Sequence, residues 1–175
     1  IHVIGVNAES SWAQVRDTLR IQPAELLCVD SLLDGLRREL PECRAVRPVP
    51  ALAFSGLHPD AIYVRRASAP VLSGIGSEWN SALVLGAYLA GLTPGACAEL
   101  FSAETFERLD YFDEFGRSTT GLLRRFEIAG LDGRWWLDSV SSIGTFMYGP
   151  THPVAAGIGL LAHQVAHQLG GMNSG

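Results

Sequence analysis

Two histidine–proline pairs, His58-Pro59 and His152-Pro153, are the residues of this sequence best suited to acid–base chemistry. Histidine is the side chain whose unperturbed pKa lies closest to neutrality, so it can take up or release a proton at physiological pH. A following proline restricts the preceding residue to extended backbone and marks the boundary of an ordered segment. The pattern predicts that the histidines act on a bound ligand. The alternative is that both imidazoles only satisfy backbone groups in capped turns.

Small polar residues follow the first predicted strand, residues 2–6, at a strand-to-helix junction. Nucleophiles and oxyanion donors often occupy such junctions. Ser10, or its neighbour Ser11, could form an acyl-transfer pair with His152 as the base, and Asn7 with nearby backbone N–H groups could stabilise the oxyanion. The alternative is that the serine only caps the following helix.

Carboxylates close to the two pairs in sequence are candidates to orient the imidazoles. Asp60 could orient His58, and Asp132 or Asp138 could support His152. The spacing alone establishes neither pairing.

Two arginines and a loop of small residues could hold the phosphates of a cofactor: Arg65, Arg66, Ser73, Gly74, Gly76 and Ser77. The loop precedes a helix predicted to begin near Glu78, and the backbone N–H groups at a helix N-terminus bind anions. The segment lacks the lysine of a P-loop and the third glycine of a dinucleotide-binding loop. A flexible surface loop is the alternative.

Aromatic residues flank the second pair, in Trp135-Trp136 and Phe146-Met147-Tyr148. They would line an adenine or sugar pocket if exposed, and they would belong to the core if buried.

His163 and His167 are four residues apart and share a helical face, which could bind a metal, but no third ligand is obvious.

The first third of the chain alternates between predicted strands and helices. Strands are predicted over residues 2–6, 25–29 and 43–49, with helices over 11–20 and 32–40 between them. This alternation predicts a parallel sheet with right-handed crossovers. Ligands bind such sheets beyond the carboxyl ends of the strands.

The remainder of the chain is predicted to be mainly helical. Helices are expected over residues 78–92, 94–101, 102–109, 113–129 and 153–169, with Pro153 in the first turn of the last. The predicted fold class is therefore α/β, with a small parallel β-sheet in the N-terminal third followed by a helix-rich remainder. We expect one domain over residues 1–175, with an α/β portion at 1–64 and a mainly helical portion at 65–175.

Composition narrows the class of function. The 175 residues are 47% hydrophobic and 18% charged, which favours a folded chain over a disordered one. A net charge of −5 gives no electrostatic support for nucleic-acid binding. All basic residues are arginines, so an anionic ligand must be held by guanidinium groups, backbone N–H groups or hydroxyls. No apolar stretch predicts membrane insertion, and no secretory leader is visible. The three cysteines lack metal-ligand spacing. Together these features predict a cytoplasmic protein.

Three stretches, taken in their order and spacing, resemble the WcbI family of capsular polysaccharide biosynthesis proteins. Residues 50–64 contain the family's phenylalanine–glycine–histidine–proline–aspartate block around His58-Pro59. Residues 78–115 resemble its central helical block, and residues 146–170 resemble its closing block, which contains His152-Pro153. The resemblance covers roughly the last two thirds of the chain.

The resemblance implies a bacterial, cytoplasmic protein that binds coenzyme A or acetyl-CoA and acts as an O-acetyltransferase on a sugar of a surface polysaccharide. His58 and His152 stand at the family's two histidine–proline positions. The family pattern has a cysteine after the first strand, whereas the run from Gly5 to Ser10 contains none. Asn80 stands where the central block often has a histidine.

Two other functions remain open from the sequence. A serine esterase would use Ser10 and His152, although Gly149 occupies the position three residues before the histidine where such enzymes have an aspartate. A non-catalytic sugar- or nucleotide-binding protein would bind ligand without turnover.

Overall fold

The computed structural model describes residues 13, 15–17, 26–29, 32–41, 43, 46–65, 71–72 and 79–170. The chain divides into two compact units. The first comprises residues 1–51 and 125–131, and the second comprises residues 52–124 and 132–175. The single domain expected from the chain length stays a prediction.

The first unit contains a parallel strand pair with a helix between the strands. β1 (Leu26–Val29) pairs with β2 (Val46–Val49), and α1 (Leu33–Glu39) connects them. This confirms the predicted parallel sheet in the N-terminal third. α1 begins without a side-chain cap and buries Leu36. The predicted strand over residues 2–6 lies outside the described residues.

Among its described residues, the second unit contains three short antiparallel strand pairs that the sequence pattern did not predict. β3 (Ala61–Ile62) pairs with β6 (Asn80–Ser81), and β4 (Val64–Arg65) pairs with β5 (Val71–Leu72). β7 (Met147–Gly149) pairs with β8 (His152–Pro153) to form a hairpin. Strands of two or three residues carry too little hydrophobic periodicity to be recognised from sequence.

Helices make up most of the second unit, as predicted: α2 (Ala82–Leu89), α3 (Pro94–Glu99), α4 (Ala103–Arg108), α5 (Glu114–Ile128), α6 (Gly133–Ser141) and α7 (Ala155–Gly170). The last residues of α5 belong to the first unit. Three helices begin at hydroxyl caps, where the side chains of Ser81, Thr93 and Ser102 accept hydrogen bonds from the first turn.

Two predicted helix starts were wrong. The helix predicted from Glu78 begins at Ala82, because Asn80 and Ser81 pair with β3 instead. Pro153 was expected in the first turn of the last helix, but it lies in β8 opposite Met147, and α7 begins at Ala155.

α6 was not predicted from the sequence, although Asp132 caps it by accepting a hydrogen bond from Trp135 N at 2.9 Å. α6 buries Trp136 and Val140. The indole of Trp136 donates to the carbonyl oxygen of Gly157 on α7 at 2.9 Å. A Cβ at Gly157 would lie 3.2 Å from the Trp136 ring, so the glycine lets the two helices approach closely.

Buried apolar side chains of the second unit come from its helices and from the segments that carry the histidine–proline pairs. They include Phe54, Leu83, Ala87, Leu122, Trp136, Val140, Phe146, Met147 and Val165. In the part of the chain that the structure describes, no helix is long and apolar enough to cross a membrane.

Candidate functional site

The segments that carry the two histidine–proline pairs lie against each other in the second unit. The backbone N–H of Phe54 donates to the carbonyl oxygen of Pro150 at 2.7 Å. The Nε2 atom of His58 lies 3.1 Å from the carbonyl oxygen of Met147. The rings of Phe54 and Phe146 meet edge to face with centroids 5.0 Å apart. The residues before and within the first pair therefore hold the β7–β8 hairpin, which contains the second pair.

His58 sits in a tight turn and uses its ring to anchor the hairpin. Its backbone N–H donates to the carbonyl oxygen of Ser55 at 2.8 Å, and its carbonyl oxygen accepts from Ala61 N at 3.1 Å. A carbonyl oxygen can only accept, so the hydrogen bond to Met147 requires the proton on Nε2 of His58. In the neutral ring, Nδ1 is then the acceptor.

Gly56 lets the turn pack against the first turn of α5. A Cβ at this position would lie 2.7 Å from Phe115 Cα and 2.7 Å from a ring carbon of Phe54. The helix backbone cannot move aside as a flexible side chain would. The position is therefore restricted to glycine by the close approach of the two backbones.

A cluster of polar side chains ties the same turn to α5. Ser55 Oγ donates to Glu114 Oε1 and lies 2.9 Å from Ser118 Oγ. Ser118 Oγ also donates to Glu114 Oε1, at 3.1 Å, and Arg117 Nε donates to Glu114 Oε2 at 2.9 Å. The hydrogen bond from Ser55 is the largest cause that lowers the pKa of Glu114, and it acts against the opposing effect of burial. The carboxylate form of Glu114 is thus the form that holds the turn.

Asp60 caps α2 and does not orient His58 as its place in the sequence suggested. Its Oδ1 accepts from Leu83 N at 2.9 Å and from the hydroxyl of Tyr111 at 3.0 Å. Its carbonyl oxygen accepts from Ala82 N at 2.9 Å. Burial, and then the hydrogen bond and charge of Asp60, raise the pKa of Tyr111 to about 12. The ring of His58 contacts Met147 instead.

His152 is exposed at the hairpin and lies beside an aromatic pair. It stands opposite Gly149 in the strand register. A Cβ at Gly149 would lie 3.4 Å from His152 Nδ1 and 3.7 Å from Cδ1 of Trp79, so the imidazole and the indole both border this glycine. The ring of Tyr63 stacks on Trp79 with centroids 3.8 Å apart and planes tilted by 34°. Tyr63 is 45% exposed, which leaves part of its ring open to a ligand.

Comparison with family models gives one match that covers most of the chain. The description "Polysaccharide biosynthesis enzyme WcbI" applies to residues 17–173. The chain belongs to the WcbI family. The match includes both histidine–proline pairs and confirms the resemblance noted in the sequence. Comparison with curated proteins and with solved structures gave no match.

Of the site residues predicted for this WcbI-family chain, His152 lies in the β7–β8 hairpin and the ring of His58 contacts that hairpin at Met147. Arg65 lies in β4 opposite Val71, and its side chain is outside the described structure. The other predicted site residues lie outside the described residues and stay predictions: Asn7, Ser10, Arg66, Ser73, Gly74, Gly76 and Ser77.

The aromatic residues near the second pair divide between core and surface. Trp136, Phe146 and Met147 are buried, whereas Trp135 is 40% and Tyr148 80% exposed. His163 lies with its ring centroid 6.4 Å from that of Trp135.

Within the described residues, no group of three or more histidine, cysteine or acidic side chains could hold a metal ion.

Two residues that shape the site of this WcbI-family member, Glu114 and Trp79, were not predicted from the sequence. Nothing in the spacing of Glu114 links it to Ser55, because the two are 59 positions apart. Trp79 stands just before a short strand, and its contact with Gly149 depends on the tertiary fold. No sequence signal could have identified either contact.

Proposed function

We propose that this chain binds acetyl-CoA and transfers the acetyl group to a sugar hydroxyl during polysaccharide biosynthesis. Membership of the WcbI family supports the polysaccharide pathway. The single observation that carries the proposal is the exposed imidazole of His152, which stands on a hairpin held by the residues around His58. A general base must be accessible to its substrate and held in a defined position.

In the proposed reaction, the imidazole of His152 removes the proton from a sugar hydroxyl as that oxygen attacks the thioester carbonyl of acetyl-CoA. The tetrahedral intermediate then collapses, forms the sugar ester and breaks the carbon–sulfur bond. The leaving thiolate of coenzyme A takes up the proton from the imidazolium.

His58 has a different part in this proposal. Its Nε2 proton is engaged by the carbonyl oxygen of Met147, so the ring holds the hairpin rather than the sugar. We therefore assign the base to His152 and a positioning role to His58.

The phosphates of the coenzyme are proposed to bind Arg65, Arg66 and the loop of Ser73, Gly74, Gly76 and Ser77. Of this group, the structure describes the backbone of Arg65, which pairs with Val71 in β5.

A transfer assay with matched variants tests the proposal. The wild-type chain is incubated with acetyl-CoA and a panel of nucleotide sugars and oligosaccharides, and mass spectrometry detects a sugar that gains one acetyl group. We expect His152→Ala to abolish transfer while its thermal unfolding matches wild type. His163→Ala removes another exposed histidine and should leave transfer unchanged. Full transfer by His152→Ala would contradict the assignment of the base.

A further inference from the structure

We propose that Tyr63, supported from behind by Trp79, is the surface on which a pyranose ring of the sugar acceptor stacks beside His152. The proposal rests on the function above for the identity of the acceptor. It assigns the acceptor subsite to two side chains that no step of the transfer reaction uses.

The geometry of the aromatic pair suits a flat ligand. Trp79 covers one face of Tyr63 with ring centroids 3.8 Å apart, and the tyrosine is still 45% exposed. Stacking on Trp79 therefore leaves a substantial part of the tyrosine accessible. A pyranose ring presents an aliphatic C–H face that packs on an aromatic ring, while its hydroxyls remain at the rim for polar contacts. Tyrosine combines an apolar ring with a polar hydroxyl, so it suits a position that is partly exposed to solvent.

Gly149 keeps the polar and aromatic parts of the subsite next to each other. A Cβ there would contact both His152 Nδ1, at 3.4 Å, and the Trp79 indole, at 3.7 Å. A longer side chain would fill the space between them. The imidazole of His152 and the indole on which Tyr63 stacks are therefore neighbours across Gly149.

The position of the pair favours the sugar over the adenine of coenzyme A. In acetyl-CoA, the pantetheine arm and the pyrophosphate separate the adenine from the reacting thioester. The base must touch the acceptor hydroxyl next to that thioester. An aromatic surface beside His152 is therefore at the acceptor end of the site.

Saturation-transfer NMR on the full chain tests the proposal with three free sugars: methyl α-D-mannopyranoside, methyl β-D-glucopyranoside and methyl β-D-galactopyranoside. We expect at least one of them to receive saturation on its ring C–H protons. Tyr63→Ala should weaken its binding about tenfold, the loss expected for one aromatic stack, and Tyr63→Phe should restore it. Tyr88→Ala is the matched control, because Tyr88 is 78% exposed on α2. Thermal unfolding of each variant shows whether the fold is intact.

Three results would overturn the proposal: no saturation of any of the three sugars by the wild-type chain, equal binding by Tyr63→Ala, or loss of coenzyme A affinity in Tyr63→Ala with sugar binding intact. The last result would identify the pair as an adenine platform. Calorimetry with coenzyme A separates this proposal from the proposed function. A chain that binds a pyranoside through Tyr63 but no coenzyme A would refute acetyl transfer and support the sugar platform.

Discussion

At the scale of single residues, the two histidines have different surroundings and should have different effects when removed. His58 makes a hydrogen bond to Met147, whereas His152 is exposed. We expect His58→Ala to reduce the free energy of unfolding by about 1 kcal/mol, the usual net contribution of one hydrogen bond. His152→Ala should change it by less than about 0.5 kcal/mol. Urea denaturation measures both, and equal effects of the two substitutions would contradict the anchoring role of His58.

Glu114 should make stability depend on pH in the acid range. Its pKa is lowered in the folded chain, chiefly by the hydrogen bond from Ser55, so the folded state favours the carboxylate. The resulting stabilisation is present above the ordinary pKa of 4.5 and is lost as the pH falls through the lower folded value.

The variant Glu114→Gln tests this dependence. We expect its deficit in the free energy of unfolding, about 1 kcal/mol at neutral pH, to shrink as the pH falls below 4.5. Urea denaturation of both proteins across the acid range measures the difference. Parallel curves for the two proteins would show that the charge of Glu114 does not hold the turn.

At the scale of elements, close backbone approach at Gly56 joins the His58 turn to α5. Gly56→Ala should reduce the free energy of unfolding by about 1–3 kcal/mol, because its Cβ would lie 2.7 Å from Phe115 Cα. Gly116→Ala on α5 is the matched control. No atom would lie within 4 Å of its Cβ, and alanine favours helix by roughly 0.5–1 kcal/mol. The two substitutions should therefore have opposite signs in thermal unfolding, and a neutral Gly56→Ala would contradict the close contact.

Elements with strong local signals could be predicted from the sequence. α3 begins at Pro94 after the cap Thr93, α4 follows Ser102, and α5 has a clear apolar face; the structure confirms all three. Propensity and capping act within a few residues and are therefore visible in the sequence. The parallel pair of β1 and β2 was predictable for the same reason, since apolar strands alternate with a helix.

Elements that depend on distant contacts could not be predicted. The hairpin of β7 and β8 is held by Phe54 and His58, which are more than eighty positions away in the chain. The later start of α2 reflects pairing of Asn80 with Ile62 and the cap from Asp60. α6 is a different case, because Asp132 is an ordinary cap and its signal was overlooked.

At the scale of the whole molecule, family membership indicates the pathway, and the net charge restricts how an anionic ligand can be bound. The chain belongs to a family of polysaccharide biosynthesis enzymes, and the second unit contains both histidine–proline pairs. Its net charge is −5, and all its cations are arginines. An anionic coenzyme must then be attracted by a local group of arginines rather than by the overall charge. The cytoplasmic location and the absence of nucleic-acid partners stay predictions.

Calorimetric titration of the wild-type chain with acetyl-CoA tests the proposed binding of the acetyl donor most directly, because it needs no knowledge of the acceptor. We expect a dissociation constant between about 1 μM and 1 mM, the usual range for an enzyme and its substrate. Binding should weaken by about tenfold or more in the double variant Arg65→Ala, Arg66→Ala, and it should weaken with added salt. Absence of binding at about 1 mM acetyl-CoA would contradict the proposal. Labelling of Ser10 by a fluorophosphonate would then distinguish a serine esterase from a non-catalytic binder.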